Sequence, residues 1–600
     1  MADRPSLVAR LRGLRARALG LARGHARRGW RAIRRDGPSQ AQFWMIALAV
    51  GIGGGAAALG FRLAISEIQT LIYGADDHRL HTTLAGLDPL VVVGVPILGG
   101  LAVGVILHLF TPDGRAGSVA QVIEAAALRN GRVPIRSGIA SAAASLITLS
   151  TGGSTGREGP VVHLASLIST WVSDRMHATP VTARDLLGCA VAAAVAASFN
   201  APIAGALFAL EVVLRHFALH AFAPIVIAAI AGTVVSRLQM GNVAEFRLPE
   251  HSLAFYQELP AFLILGLVCG LAAVAVMKAV FLSESFGDAL QRRTRMPGWL
   301  RPGVAGAILG VIALQFPHII GVGYETTTRV LQGRLEFGDA VVFAVVKAAA
   351  FAITLAGRMG GGVFSPSLML GAMTGLAFGH VAVNIFPSVS GSESLYALAG
   401  MGAFAAAVLG APLSTAMIVF ELTGDWQAGL AILASVSMAT VVSARFVDKS
   451  FFLTLLAKRN IRIAGGPESW IPGTIPVRDV LRVRGSDSGA SDSACWALVE
   501  QGARLERTDT LEKALPMFES ARGMTLIPVV ETRDDGSMDL IGAVFHVDAL
   551  KAFNRALKRK ASAAMMPTEE EIETIEESQE PVTIEESQDP VLDDGWVAAV

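Results

Sequence analysis

Two five-residue segments carry the chemistry open to this sequence. Gly156-Arg157-Glu158-Gly159-Pro160 and Gly362-Val363-Phe364-Ser365-Pro366 share the frame Gly-x-x-x-Pro and lie 206 residues apart. Glycine lets a backbone approach a neighbour or ligand closely, and proline suits the first turn of a helix, where its missing N–H costs nothing. Each segment therefore reads as a loop that opens a helix, with unpaired N–H groups and the positive end of the helix dipole at its tip. Such a tip holds a partly dehydrated anion by partial charges, strongly enough to admit it and weakly enough to release it. Glu158 adds a carboxylate at the mouth of that site. Ionised, it can take the anion's place; protonated or displaced, it can leave, which makes it a candidate gate sensitive to pH and anion concentration. The plainer alternatives are a glycine turn without a ligand and a Glu158 paired with Arg157. Gly152-Gly153-Ser154-Thr155-Gly156 lacks the Gly-Lys-Ser/Thr ending of a nucleotide phosphate loop. Cys189, Cys269 and Cys495 form no Cys-x-x-Cys pair, so neither a zinc site nor a disulfide framework is expected.

The elements that position these loops are apolar. Of 600 residues, 52% are hydrophobic and 17% charged, with a mean hydropathy of +0.52, which excludes an assembly of soluble domains. Runs such as Phe43–Phe61, Leu90–Phe110, Ala261–Phe281, Ala340–Ala356 and Ala428–Val442 approach the ~20 residues needed to cross a bilayer. Shorter runs, Ser137–Leu149, Val161–Val172 and Ile203–Leu214, predict tilted or half-crossing helices. Backbone breaks inside a bilayer only where protein or a water-filled cavity satisfies it, so broken helices point to an internal site. The body also repeats itself. Ala201-Pro202-Ile203 runs through an apolar stretch to Glu211, and Ala411-Pro412-Leu413 runs through another to Glu421, an offset of 210. Two halves, about 42–240 and 255–450, are expected. An odd number of crossings in each would invert one against the other and bring their broken helices together near the midplane.

The formal net charge of zero argues against a nucleic-acid partner but is only a sum. The first 36 residues hold eleven Arg against two Asp, whereas Glu569–Asp594 holds twelve acids and no base. Residues 1–40 read as a basic cytoplasmic segment under the positive-inside rule, able to lie on anionic lipid, rather than as a signal peptide. Residues 561–600 read as an acidic disordered tail containing a tandem nonapeptide, Thr574–Val582 and Thr583–Val591.

Gly152–Pro160, Ser198-Phe199-Asn200-Ala201-Pro202, Gly362–Pro366, and Gly400-Met401-Gly402-Ala403-Phe404 before Ala411-Pro412-Leu413 together resemble the CLC family of chloride channels and chloride/proton exchangers. The order and spacing match across about two-thirds of the chain. The resemblance implies an all-α multi-span fold of two inverted repeats with broken helices over residues 41–455. It further implies a homodimer in the cell membrane with one chloride pathway per subunit. Glu158 would be its gate, and Ser118, Gly156, Arg157, Gly159, Gly362, Val363, Phe364 and Phe452 its anion-binding positions. No catalytic residue, metal or cofactor is implied, and the chain is not expected to be an enzyme.

Departures from the family pattern bear on mechanism. Its first motif, usually Gly-Ser-Gly-Ile-Pro, corresponds to Gly117-Ser118-Val119-Ala120-Gln121, with Glu124 following. Phe452 stands where a central tyrosine would donate a hydroxyl. Exchangers of the family usually carry a proton-accepting glutamate directly after the position of Glu211; this chain has Val212 there, as the family's channels have valine. Passive conduction is therefore expected ahead of chloride/proton exchange, with Glu211 or water as alternative proton relays. A third possibility is a membrane sensor acting through its soluble end. Residues 474–560 resemble one CBS domain, with an amphipathic run Leu511–Phe518, strands Leu526–Val530 and Leu540–Phe545, an Asp534-Asp535-Gly536 turn, a helix Val547–Leu557 and an irregular stretch Gly485–Ser493. Phe545 replaces the family's Ser/Thr before Asp548, so a packing or dimer-contact role is expected rather than adenine-nucleotide binding.

Overall fold

The structure, a computed structural model, describes residues 38–564 apart from 218, 242–255, 388–389, 424–427, 448, 460, 462, 464–470, 487–488, 521–523 and 533–536. The basic segment to residue 37, the Asp534-Asp535-Gly536 turn and the acidic tail beyond 564 lie outside the described residues.

The first half runs α1 (Gln40–Tyr73), α2 (Leu80–Leu84), α3 (Pro89–Phe110), α4 (Val119–Leu128), α5 (Ile135–Thr151), α6 (Glu158–Met176), α7 (Pro180–Phe199), α8 (Pro202–Phe208, continued as a π-helical turn Ala209–Leu214) and α9 (Leu219–Met240). The second half runs α10 (Leu259–Thr294), α11 (Arg301–Gln315), α12 (Tyr324–Leu331), α13 (Phe337–Ala356), α14 (Phe364–Ile385), α15 (Glu393–Leu409), α16 (Pro412–Thr423) and α17 (Gly429–Phe446), followed by α18 (Phe451–Lys458). Leaving out α2, the eight helices of the first half pair in order with α10 to α17. Among the described residues, nine helical stretches are long and apolar enough to cross a membrane; four of the five long runs picked from the sequence fall within them, and the fifth, Ala428–Val442, starts one residue earlier, on the cap of its helix. α8 with its π-helical turn rises about 20 Å at most, short of the ~30 Å hydrocarbon core, so it enters the membrane without crossing it.

The same local chemistry makes the same joints in both halves. α7 starts on a Thr179 cap with Pro180 next and ends at Asn200 in the left-handed region (φ 57°), after which Ala201-Pro202 opens α8. α15 starts on a Ser392 cap and ends at Gly410 (φ 65°), and Ala411-Pro412 then opens α16. Packing repeats too: α9 lies against α1 and α7, as α17 lies against α10 and α15. These contacts use small residues, as helix interfaces in membranes do. A Cβ on Gly55 would come within 2.6 Å of the Gly232 Cα, and one on Gly266 within 2.4 Å of the Ser435 carbonyl oxygen. Most of α7 and α15 is fully buried, at the centre of the largest core cluster.

Beyond the helical body, α19 (Ile471–Thr474), α20 (Asp492–Glu500), α21 (Leu511–Ser520) and α22 (His546–Ala564) surround a four-stranded sheet. Its strands are β1 (Leu481–Val483), β2 (Leu505–Glu506), β3 (Leu526–Thr532) and β4 (Met538–Phe545), in the order β1-β4-β3-β2, with β2 and β3 parallel and the other pairs antiparallel. The amphipathic run and both strands expected from the sequence are present. α20 is new, and it begins inside the stretch expected to be irregular.

Candidate functional site

The two Gly-x-x-x-Pro loops meet. Gly156 N–H donates to the Gly362 carbonyl at 2.8 Å, and Gly362 N–H donates to the Gly156 carbonyl at 2.7 Å, a single antiparallel bridge between segments 206 residues apart. Thr155 Oγ1 adds a bond to the Gly362 carbonyl at 2.8 Å. The approach requires glycine: a Cβ on Gly362 would lie 2.8 Å from Gly159 N, and Gly361 takes φ 150° with Thr155 Oγ1 only 2.1 Å from where its Cβ would be. The bridge brings the starts of α6 and α14 head to head, as a two-fold relation between the halves demands. Two positive helix ends then converge on one small volume.

Glu158 occupies that volume. It is the first residue of α6 and is 3% exposed. Its Oε2 accepts from Ser365 N–H at 3.4 Å and its Oε1 accepts from Ser365 Oγ, at the N-terminus of α14. The carboxylate thus takes up N–H and O–H donors that a bound anion would use. Arg157 is a weak partner for it, with Nε 4.0 Å from Oε1. Its guanidinium turns instead to Tyr324, donating to the hydroxyl at 2.9 Å and lying 4.7 Å from the ring centre.

A cavity opens beside this point on the side carrying α18, and Glu158 itself is not among its lining residues. Ser118, Gly159, Gly362, Val363 and Phe452 line it, and Arg115, Glu284, Arg358 and Arg459 stand along its wall. Ser118 precedes α4 and bonds none of that helix's N–H groups, which leaves its hydroxyl to the cavity. Of the eight anion-binding positions expected from the sequence, five are therefore gathered here. Gly156 and Arg157 are not among the lining residues, and the Phe364 ring packs between Phe199 and Phe208, at 4.8 and 6.1 Å. Phe364 therefore bears on the site through its place at the helix start, not through its side chain.

Sequence reasoning passed over the charged wall. Arg115 pairs with Glu284 at 2.6 Å, Arg358 and Arg301 with Asp288, and Arg459 with Asp113 at 3.8 Å. With Lys458 beside them, the four guanidiniums outnumber the three carboxylates, and the positive excess raises the local concentration of anions. A signal existed: Arg115 and Arg358 each stand within four residues of a cavity loop, and Arg459 seven residues after Phe452. The repeat carboxylates also acquire a role. Glu211 accepts from Leu413 N–H and from Ser414 N–H and Oγ, at 2.7–3.1 Å, while Glu421 accepts from Ile203 and Ala204 N–H at 3.1 and 2.7 Å. Each half caps the short helix of the other. Glu211 is thereby tied down, which argues against it as a proton relay. Val212 beside it is buried and apolar.

The C-terminal sheet domain docks on the same region. Its α21 packs on α4, the helix that Ser118 begins, and Glu512 of α21 meets Arg184 of α7 at 2.9 Å. Burial pushes the Glu512 carboxyl up to about 7, against the opposing pull of Arg184 and Arg215. Within the domain Asp548 is taken by Arg482 at 2.7 Å, and the Arg482 guanidinium lies 4.2 Å from the Phe545 ring centre.

Comparison with known proteins places residues 99–444 in a match to the family described as voltage gated chloride channel. A putative chloride channel protein, ClcB-like, from Ralstonia nicotianae is 29% identical over 420 residues, covering 69% of this chain and 97% of that protein. An H(+)/Cl(−) exchange transporter, ClcA, from Vibrio cholerae is 27% identical over 317 residues, 52% of this chain and 68% of that one. The solved structure of a slow cyanobacterial Cl−/H+ antiporter superposes with a TM-score of 0.61 at 23% identity, covering 71% of this chain and 98% of its own.

Proposed function

The chain belongs to the voltage-gated chloride channel family, a multi-span membrane protein, and on that premise we propose that it moves chloride across a membrane in exchange for protons, with Glu158 as the gate. The observation that carries this is the seat of the Glu158 carboxylate on Ser365 at the start of α14, where two helix N-termini converge. A group held there by the donors an anion needs must leave before the anion enters. For a carboxylate, protonation is the means of leaving, so anion passage and proton uptake share one side chain.

Val212 put passive conduction first in the sequence. The Vibrio relative, named as an exchange transporter, favours exchange, and one apolar position does not close every route for a proton. Ser118, Gly159, Gly362, Val363 and Phe452 would line the anion path. Phe452 supplies no hydroxyl, so the anion leans on Ser118 and the backbone. The exposed apolar side chains of α8, α9, α16 and α17, among them Ile203, Ile230, Leu413 and Leu430, suit a second copy in a homodimer. The C-terminal domain, CBS-like in its resemblance and with Asp548 engaged by Arg482, serves as a packing element on α4. The Arg-rich start would hold both termini in the cytoplasm.

The test is the purified protein in liposomes under a chloride gradient, with chloride and proton movements recorded together. Chloride flux with protons moving in the opposite direction at a fixed ratio is expected. Chloride flux without protons overturns exchange in favour of a channel, and the absence of anion flux favours a sensor.

A further inference from the structure

An exchanger with valine at the position after Glu211 needs another group to carry protons between Glu158 and the solution on the α18 side. Among the described residues, His163 stands out. It is 1% exposed, and neither ring nitrogen has a hydrogen-bond partner. Buried polar groups are almost always paired, so a doubly unsatisfied imidazole calls for a function or for water. His163 follows Glu158 by five residues on α6, about 7.5 Å further along the helix axis. Its ring faces Gly117, immediately before Ser118: a Cβ on Gly117 would lie 2.7 Å from His163 Nε2 and 2.4 Å from Gln121 Oε1. The imidazole and the Gln121 amide thus share the space behind the Ser118 loop, and they share it only because residue 117 has no side chain.

α4 continues the line. Gln121 and Glu124 lie three residues apart on one face of that helix. Glu124 is buried, and its Oε1 accepts from Arg129 at 2.7 Å, whose side chain is half exposed. α4 packs against both α6 and the π-helical turn that holds Val212. Of the other carboxylates near this joint, Glu211 is tied to the start of α16, and Glu284 is paired with Arg115 in the cavity wall. Arg157 reaches Tyr324.

We propose that His163 is the proton-carrying residue of the inner half of the pathway, bridging Glu158 and the Gln121–Glu124 face of α4. Protonated Glu158 gives its proton through intervening water to the neutral imidazole, leaving a carboxylate and an imidazolium. The imidazolium passes the proton by water beside Gln121 to the Glu124 carboxylate, which releases it to solution, and the neutral ring is restored. One proton moves and no electrons do. Val212 need carry nothing.

This rests on the exchange reading, and the two can be separated in one experiment. The full-length chain, His163→Gln, His163→Asn, and each of these combined with Val212→Glu are reconstituted in liposomes, with chloride and protons recorded in the same sample. The native chain is expected to move both. The single variants should keep chloride flux, which reports the fold, while proton movement per chloride falls at least about tenfold; Val212→Glu should restore it. An unchanged proton-to-chloride ratio in a single variant overturns the proposal. So does loss of both fluxes from a chain that elutes as the native one does, because His163 would then be shaping the anion site. Chloride flux without protons in the native chain sinks the exchange reading, and this inference with it, before any substitution is considered.

Discussion

Glu158→Gln tests the gate most directly. The carboxylate is held at the start of α14 by Ser365 N–H at 3.4 Å and by the Ser365 hydroxyl, so on the proposed reading it competes there with an incoming anion. A hydrogen bond to a charged acceptor contributes ~1.5–3 kcal/mol, against ~0.5–1.5 for a neutral one, and the backbone contact is long enough to fall at the weak end. Replacing the carboxylate by an amide therefore weakens the competitor by about 1–2 kcal/mol. At 1.4 kcal/mol per decade, chloride should bind roughly 5- to 30-fold more tightly to the variant. Since the amide does not titrate, chloride flux should also lose its pH dependence, and no protons should accompany it. Calorimetric titration of chloride into the purified protein, with flux across a pH series, measures both. An affinity within about twofold of the native value, together with an unaltered pH profile, would show that Glu158 and chloride do not compete.

Three further outcomes follow from the geometry. Glu421→Ala removes two charge-assisted caps from α8 and should cost about 2–4 kcal/mol of stability in detergent, with Glu211→Ala costing at least as much at the start of α16; denaturation midpoints check both. Gly362→Ala drives a methyl to within 2.8 Å of Gly159 N, so the bridge between the loops should open at a cost of about 1–3 kcal/mol and transport should stop, as anion flux would record. Glu512 holds its proton more tightly when docked than its ordinary 4.5, at about 7, so docking of the C-terminal domain is strongest below pH 4.5, weakens as pH rises towards 7 and is level above it. The span is up to about 3 kcal/mol, and Glu512→Gln should flatten it, as read by energy transfer between dyes on the two parts.

The reciprocal caps and the glycine bridge share a logic that bears on transport. Each fixes a broken helix of one half against the other, at points 202–218 residues apart in the chain. A helix interrupted in a membrane leaves N–H groups unsatisfied, and burying them is costly unless something accepts them. For α8 and α16 the acceptors are Glu421 and Glu211, permanent side chains. For α14 the acceptor is Glu158, next to Gly159 and Val363 of the cavity lining, and on the proposed reading it gives way there to an anion. Two of the broken helices are thus locked by side chains from the other half, and the third is the one that the proposed exchange would use.

Much of the architecture was legible in the sequence because its causes are short-range. Hydropathy over ~20 residues marks a membrane helix, and an Asn-Ala-Pro or Gly-Ala-Pro joint ends one helix and opens the next without reference to the rest of the chain. The matched offsets near 210 between Ala201-Pro202 and Ala411-Pro412 carried the repeat on the same terms. Which groups meet was decided by the tertiary structure. Nothing local says that Arg157 turns to Tyr324, that Phe364 gives the site a helix end while its ring packs elsewhere, or that Arg115, Arg358 and Arg459 converge on one wall. Glu211, adjacent to Val212 and open to a proton role in the sequence, became a cap only when α16 was brought to it. His163 was one histidine among twelve until packing left both its nitrogens without partners behind Gly117. Helix starts and apolar runs are set by neighbours in the chain, whereas partners are set by two halves closing on each other across some two hundred residues.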